Sequence, residues 1–313
     1  MKIINFSTTE KIRLDKFLRE NLPEKFENPE QVSNSKIRRL IISGSVSVNG
    51  KQCVRPAFEL RGKSNVKVTL DEEKFFFEKQ PDDIKFELTE KDVLYEDDVL
   101  LCVNKPALFP TEETIVGGAK RDNLHDACVR YLWKKNPSLR NPPYCGIMHR
   151  LDRETSGVIL FTKSRSVNKD IQKMFENHNF KKIYTALCTG KNDAGKKFTV
   201  EMFMNRISFK SQAAKWGKVP ESSGGLYSKT DFTVTGEKSI SGKKVYVIQA
   251  DLYTGRTHQI RVHLSSVGLP ILGDELYGGE SYSRILLHAE KLEFEHPLTK
   301  EKLVICAKNN FFS

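Results

Sequence analysis

Gly146-Ile147-Met148-His149-Arg150-Leu151-Asp152-Arg153-Glu154-Thr155-Ser156-Gly157-Val158-Ile159-Leu160-Phe161-Thr162-Lys163-Ser164-Arg165 is the stretch from which the chain is best read. Its apolar run, Val158 to Phe161, predicts a buried strand bounded by Gly157 and the polar Lys163-Ser164. A dense polar cluster stands just before it: His149, Arg150, Asp152, Arg153, Glu154, Thr155 and Ser156. Polar groups at the entry to a core strand are either satisfied by partners or kept for use. Asp152 is the candidate. With Arg150 and Arg153 beside it, its ionised form is favoured, and such a carboxylate can serve as nucleophile or base. The competing reading is a loop carboxylate held in an ion-pair network.

Outside this stretch, 313 residues suffice for a full core and for two domains. Lys and Arg number 51 against 40 Asp and Glu, a net charge of +11, which favours a polyanionic partner, nucleic acid before membrane. No run approaches the roughly 18 apolar residues of a spanning helix, and Met1 to Glu10 lacks the apolar core of a secretory signal. The six cysteines, 53, 102, 128, 145, 188 and 306, are scattered without a C-x-x-C pair. That pattern suits buried thiols in a reducing cytoplasm. A soluble cytoplasmic protein is expected.

Residues 1–74 read as a small separate module. Ile12, Leu14, Phe17 and Leu18 give a short helix an apolar face, closed near Pro23; Asn34 or Ser35 caps a second helix carrying Ile37, Leu40 and Ile41, which Gly44 ends. Val46-Ser47-Val48 and Val66-Lys67-Val68 alternate like strands, and Asn49-Gly50 is a type I′ hairpin turn. Lys36, Arg38, Arg39, Lys51 and Arg55 lie on or near the second helix and hairpin, as an RNA-binding face or as ordinary solvated charge. Residues 75–90 read as a linker in which Phe75 to Phe77 need a docking place.

The texture changes from about residue 91. Val93 to Tyr95 and Val99 to Val103 predict a hairpin ended by Asn104-Lys105-Pro106. Helices are expected over Asn123 to Leu132, with Leu124, Ala127, Cys128 and Tyr131 inward, and around Val167, Ile171, Met174 and Phe175. Lys182 to Cys188 alternates as a strand, with Tyr184 on the face opposite Ile183, Thr185 and Leu187. Residues 191–243 read as irregular strands and loops. After a strand at Tyr246 to Leu252, Thr257 is expected to cap a helix with Ile260, Leu264 and Val267 on its apolar face, stopped by Gly268 and Pro270. His258, Arg261 and Ser265 would then share a flank.

Several chemistries find no support. His258 and His263 are five apart and splay to different faces of one helix, and no H-E-x-x-H set occurs, so no metal is expected. Neither a Gly-rich phosphate loop nor a G-x-S-x-G elbow is present. Carboxylate chemistry on a nucleic acid remains.

Three segments carry a resemblance. His149 to Gly157 resembles HRLD-x-x-TSG, Lys182 to Ala186 resembles K-x-Y-x-A, and Gly255 to His263 resembles G-R-T-H-Q-I-R-V-H of the RluA family of RNA pseudouridine synthases. Asn104-Lys105-Pro106, Gly273-Asp274 and Tyr277-Gly278 fit the same pattern. The resemblance implies an α+β catalytic domain over residues 91–313, a mixed, mostly antiparallel sheet with flanking helices. It makes Asp152 the catalytic aspartate, Arg261 the arginine that pairs with it, and Tyr184 the tyrosine of the uridine pocket. Arg150 would hold the flipped site open, and Leu286 or Leu287 would form its apolar wall; His149, Arg256 and His258 would bind substrate. The first module resembles an S-four type RNA-binding domain, although Gly62-Lys63-Ser64 stands where that type usually has Gly-Asp. The implied partner is RNA, with large-subunit ribosomal RNA favoured and transfer RNA the alternative, and no cofactor. A monomer is expected. The other function classes are a non-catalytic RNA-binding or ribosome-assembly protein on the same fold, and a nucleosidase-like hydrolase pairing Asp152 with Glu154.

Overall fold

The computed structural model describes the chain except residues 1, 28, 71–74, 76–83, 114, 117–118, 209–213, 241, 310 and 312–313, and the side chains of 31, 35, 115, 116, 119 and 120. The chain divides into two units, one reaching to Gln80 and the other beginning at Pro81, residues 209–213 aside. In the first, the elements are β1 (Lys2–Thr8), β2 (Ile12–Arg13), α1 (Leu14–Asn21), α2 (Asn34–Ile42), β3 (Val46–Val48), β4 (Lys51–Gln52), β5 (Glu59–Leu60) and β6 (Ser64–Leu70). β1, β6, β3 and β4 pair in that order. Both helices bury their apolar faces in one cluster with Val46, Val66 and Val68. The Asn49-Gly50 turn has positive φ at both residues, 49° and 77°, as a type I′ hairpin requires.

Two local expectations change here. The cap of α2 is Ser33, whose Oγ accepts the Lys36 N–H at 3.3 Å, because the chain turns helical one residue earlier than expected. Lys36 itself is only 5% exposed, so it does not share the solvent-facing surface of Arg38, Arg39, Lys51 and Arg55. Arg38 instead lines a groove with Arg13, Lys16 and Arg19 of the other helix segment. Phe75 stacks on Phe26 with ring centroids 5.4 Å apart; Phe76 and Phe77 lie outside the described residues.

The second unit runs β7 (Val93–Glu96), β8 (Leu100–Lys105), β9 (Ile115–Val116), β10 (Ala119–Lys120), α3 (Leu124–Lys135), β11 (Gly146–Ile147), β12 (Ser156–Thr162), α4 (Asn168–Glu176), β13 (Lys181–Cys188), β14 (Lys197–Arg206), β15 (Trp216–Lys218), β16 (Leu226–Ile240), β17 (Lys243–Leu252), α5 (Gln259–Ser266), β18 (Leu287–Glu295) and β19 (Lys302–Cys306). Its large sheet has the order β15-β14-β16-β17-β13-β18-β12-β8-β7, with β11 on β12 and β19 on β18. Every described pairing in it is antiparallel except β12 with β18. The architecture is therefore α+β, a mixed and mostly antiparallel sheet with helices packed on it. Where β12 meets β18, Gly157 (φ 117°) lies against the Ala289 backbone so closely that any Cβ would overlap it.

Residues 191–243 are more regular than expected. β14 and the fifteen-residue β16 lie there. Val200, Met202 and Met204 alternate inward, but their partners on β16 include Ser228 and Thr230, polar residues buried by hydrogen bonds rather than by apolarity. Buried hydroxyls break the hydrophobic alternation that marks a strand.

Two apolar clusters position the site. One packs α3 and α4 on β8 and β12; the other packs α5 against β13, β14, β16 and β17. Tyr184 touches both.

Candidate active site

Asp152 sits in the turn that leads into β12, where the Thr155 N–H bonds to the Asp152 carbonyl at 3.1 Å. The backbone on either side is fastened. Thr111 Oγ1 donates to the Leu151 carbonyl at 2.8 Å and accepts the Leu151 N–H at 3.3 Å. On the other side, the Arg153 carbonyl accepts from the Phe109 N–H at 3.2 Å and from Lys105 Nζ at 3.1 Å. Lys105 is fully buried and also donates to the Pro106 and Phe109 carbonyls. Burial draws its pKa down to about 7, against the pull of the Glu154 and Asp152 carboxylates. Three carbonyl acceptors offset the cost of burying its ammonium. His149 completes the anchorage: past the end of β11, its Nε2 accepts the Leu160 N–H at 3.0 Å. Burial holds that ring neutral, with a pKa of about 3.

The cations expected beside Asp152 have other partners. Arg150 pairs with Glu112, and Arg153 with Glu154 at 3.0 Å. The groups that face Asp152 come from the Gly255–His263 stretch instead. Arg261 Nη1 lies 3.8 Å and His258 Nε2 3.9 Å from the same oxygen, Asp152 Oδ2. Arg261 gives its closer bonds, 2.7 and 2.8 Å, to Asp274, which is 1% exposed. Burial works against the arginine's charge, but Asp274 and Asp152 more than restore it and hold its pKa above the ordinary value. His258 has its pKa lowered, mainly by burial, with Asp152 opposing.

α5 begins at Gln259, preceded by His258 in a left-handed conformation (φ 57°) rather than by a capping Thr257. The buried Gln259 side chain secures the turn, its Oε1 accepting the Arg256 N–H at 3.0 Å and the Thr254 hydroxyl at 2.7 Å. Ile260 and Leu264 face the core as expected. His258, Arg261 and Ser265 do share a flank, and all three meet at Tyr277. His263 points elsewhere, to Ser228 and Thr230. Among the described residues no cluster of metal-ligating side chains occurs.

Tyr184 from β13 looks into the same recess. Burial and the Asp152 charge raise its pKa, so its phenol stays protonated. A recess of about 80 Å³ is lined by Asp152, Tyr184, Arg256, His258, Arg261 and Leu287, and a cleft of about 780 Å³ by His149, Arg150, Asp152, Tyr184, Lys182 and Arg256 among others. Leu287 thus lines the recess. Leu286 packs away from it with Leu187, Val245 and Leu272. Glu154 does not offer the protonated partner a paired-carboxylate hydrolase needs: burial would raise its pKa, but Arg153 brings it below the ordinary value.

A sequence model of the RNA pseudouridylate synthase family matches residues 99–266, more than half of the chain and both the Asp152 and Arg261 segments. The chain belongs to the RNA pseudouridine synthases. The synthase is 32% identical over 308 residues to an RNA pseudouridine synthase of Mycoplasma pneumoniae, covering 95% of this chain and 89% of that one. It is 31% identical over 309 residues to ribosomal large subunit pseudouridine synthase C of Vibrio cholerae, covering 94% and 89%. The solved human RNA pseudouridylate synthase domain containing 1 shares the fold, with a TM-score of 0.56 at 24% identity over 72% of this chain and 87% of that one. These likenesses place the synthase in the RluA group, as the three motifs imply. Among the described residues no helix is long and apolar enough to cross a membrane.

Sequence reasoning missed three members of the site. Asp274, Tyr277 and Lys105 were visible only as parts of motifs, with no role given to any of them. Their signal was weak: Asp274 and Tyr277 stand in a segment otherwise rich in Gly and Leu, and Lys105 at the end of an apolar run.

Proposed function

We propose that the synthase isomerises uridines of large-subunit ribosomal RNA, with Asp152 as the reacting carboxylate and no cofactor. The observation that carries this is the convergence of Arg261 and His258 on Asp152 Oδ2 in a recess shared with Tyr184. Isomerisation breaks the glycosidic carbon–nitrogen bond, turns the base, joins its carbon to the sugar and moves one proton from carbon to nitrogen. No net electrons are transferred, so a carboxylate that attacks or takes a proton, flanked by donors that hold its charge, supplies what the step needs.

The target must leave its stack to reach the recess. Arg150 is suited to hold the gap, because its pair with Glu112 is exposed, and such pairs contribute only about 0–1 kcal/mol. Tyr184 then offers a face to the base. Ribosomal RNA is favoured by the likeness to the Vibrio cholerae enzyme, which extends over 94% of the chain. We read residues 1–74 as an S-four type RNA-binding module for that substrate, and the protein as a cytoplasmic monomer; sedimentation at twice the single-chain mass would refute the last point.

Carbodiimide mapping of pseudouridine in unmodified ribosomal and transfer RNA transcripts tests the whole reading. A stop in large-subunit RNA that appears with wild type and not with Asp152→Asn is expected. Stops in transfer RNA alone would refute the substrate, and release of free uracil would refute the isomerisation.

A further inference from the structure

His258 is the one non-glycine residue among those described around the recess whose φ is positive. Such a conformation persists in a non-glycine residue only where its surroundings demand it. It turns the imidazole so that Nδ1 lies 2.8 Å from the Tyr277 hydroxyl while Nε2 faces Asp152 Oδ2. The hydroxyl is already engaged as an acceptor by the Trp216 N–H of β15 at 2.9 Å. Burial raises the Tyr277 pKa, so the phenol keeps its proton, and His258 Nδ1 is the acceptor that proton has among the described residues. Nδ1 is therefore the bare nitrogen. A neutral ring with a bare Nδ1 carries its hydrogen on Nε2. The opposite tautomer would aim a lone pair at a carboxylate and leave the Tyr277 proton without that acceptor.

The same tyrosine governs the second donor. The Arg261 guanidinium carbon lies 5.0 Å from the Tyr277 ring centroid, and the Tyr277 carbonyl accepts the Ser265 hydroxyl at 2.6 Å, fixing the ring beneath α5. We propose that Tyr277 is a positioning residue for the isomerisation: it holds His258 as the Nε2–H tautomer and Arg261 at its side, so that two N–H donors converge on Asp152 Oδ2 and leave Oδ1 to the nucleotide. At 3.8 and 3.9 Å the donors stand just outside bonding distance, a spacing that closes when substrate loads the site. This rests on the reading of Asp152 as the reacting group.

Long-range proton–nitrogen correlation spectra of the full chain labelled with ¹⁵N-histidine test the assignment without any turnover, His258 being identified by its loss in His258→Gln. Between about pH 7.5 and 8.5, where even an ordinary histidine with a pKa of about 6.5 is mostly neutral, wild type should show a neutral ring protonated on Nε2. Tyr277→Phe keeps the ring over Arg261 and removes the hydroxyl. It should give a mixed tautomer population and a kcat about tenfold lower with KM for RNA little changed. A wild-type ring protonated on Nδ1, or charged at neutral pH, would overturn the proposal even if the variant failed to fold. So would a folded Tyr277→Phe with wild-type kcat. Absence of pseudouridine formation by wild type would count against the Asp152 reading and leave the tautomer result standing.

Discussion

Arg261 forms its two-pronged hydrogen bond with Asp274 and only approaches Asp152, which it faces at 3.8 Å with its remaining nitrogen. The arginine is thus held by one carboxylate and presented to another. Both members of the Arg261–Asp274 pair are almost completely buried. Removing either leaves an uncompensated charge, which costs about 3–5 kcal/mol, whereas replacing both with apolar residues is often neutral. Arg261→Ala and Asp274→Ala are therefore expected to lose stability as well as turnover. The double variant Arg261→Met, Asp274→Leu should regain much of the stability in urea denaturation and none of the activity. Recovery of turnover in that double variant would show that the pair does not serve Asp152.

Asp152 presents the opposite case. Its side chain is a quarter exposed and the nitrogens of Arg261 and His258 that face it lie beyond hydrogen-bonding distance. Little folding energy is invested in it. Asp152→Asn should leave the denaturation midpoint and RNA affinity close to wild type, within about 0.5 kcal/mol. Turnover should fall about ten-thousand-fold, as loss of a reacting group does. A mutant that destabilises the fold but keeps turning over would mean that the carboxylate is structural.

The sequence made Asp152, Tyr184, His258 and Arg261 readable, because each sits in a dense polar segment beside an apolar strand or helix face. Partners were harder. Asp274 follows Arg261 by thirteen residues with a helix end and a turn between them, and no periodicity links such positions. The leucine pair shows the same limit: neighbours in extended chain face opposite ways, so Leu286 and Leu287 could be told apart only once the register of β18 was known. The strands of residues 191–243 were obscured by buried Ser228 and Thr230, and the burial of Lys36 by its neighbours Arg38 and Arg39 on the same short helix.

The first unit offers a test by salt. Arg19 and Arg38 line one groove with Arg13 and Lys16. Arg13 is paired with Asp15 at 2.8 Å, and Lys16 approaches Glu20 at 4.0 Å, while Arg19 and Arg38 have no ion pair among the described residues. Arg38 acts on the Asp15 carboxylate only from beyond ion-pair distance, and cations without a close carboxylate partner are the ones available to phosphates. Arg19→Ala and Arg38→Ala should each reduce the slope of log affinity against log salt by about 0.7–0.9. A slope unchanged in the double variant would remove this groove from the RNA-binding surface.

His149 makes stability depend on acid in a defined direction. Its folded pKa is about 3, pushed down chiefly by burial and then by the Lys182 charge, against about 6.5 for an unperturbed ring. Between those values the unfolded chain binds a proton that the folded chain does not, so stability rises with pH through this range. The contribution is complete above pH 6.5 and is lost as pH falls toward 3, at about 1.4 kcal/mol per pH unit where the two states differ by a whole proton. His149→Gln retains an acceptor for the Leu160 N–H but cannot titrate. Urea midpoints measured from pH 7 to pH 4 should therefore fall less steeply in His149→Gln than in wild type. Parallel slopes in the two proteins would mean that His149 takes up its proton as readily in the fold as in the unfolded chain, and that its Nε2 is not kept as the acceptor of the Leu160 N–H that ties Asp152's loop to β12.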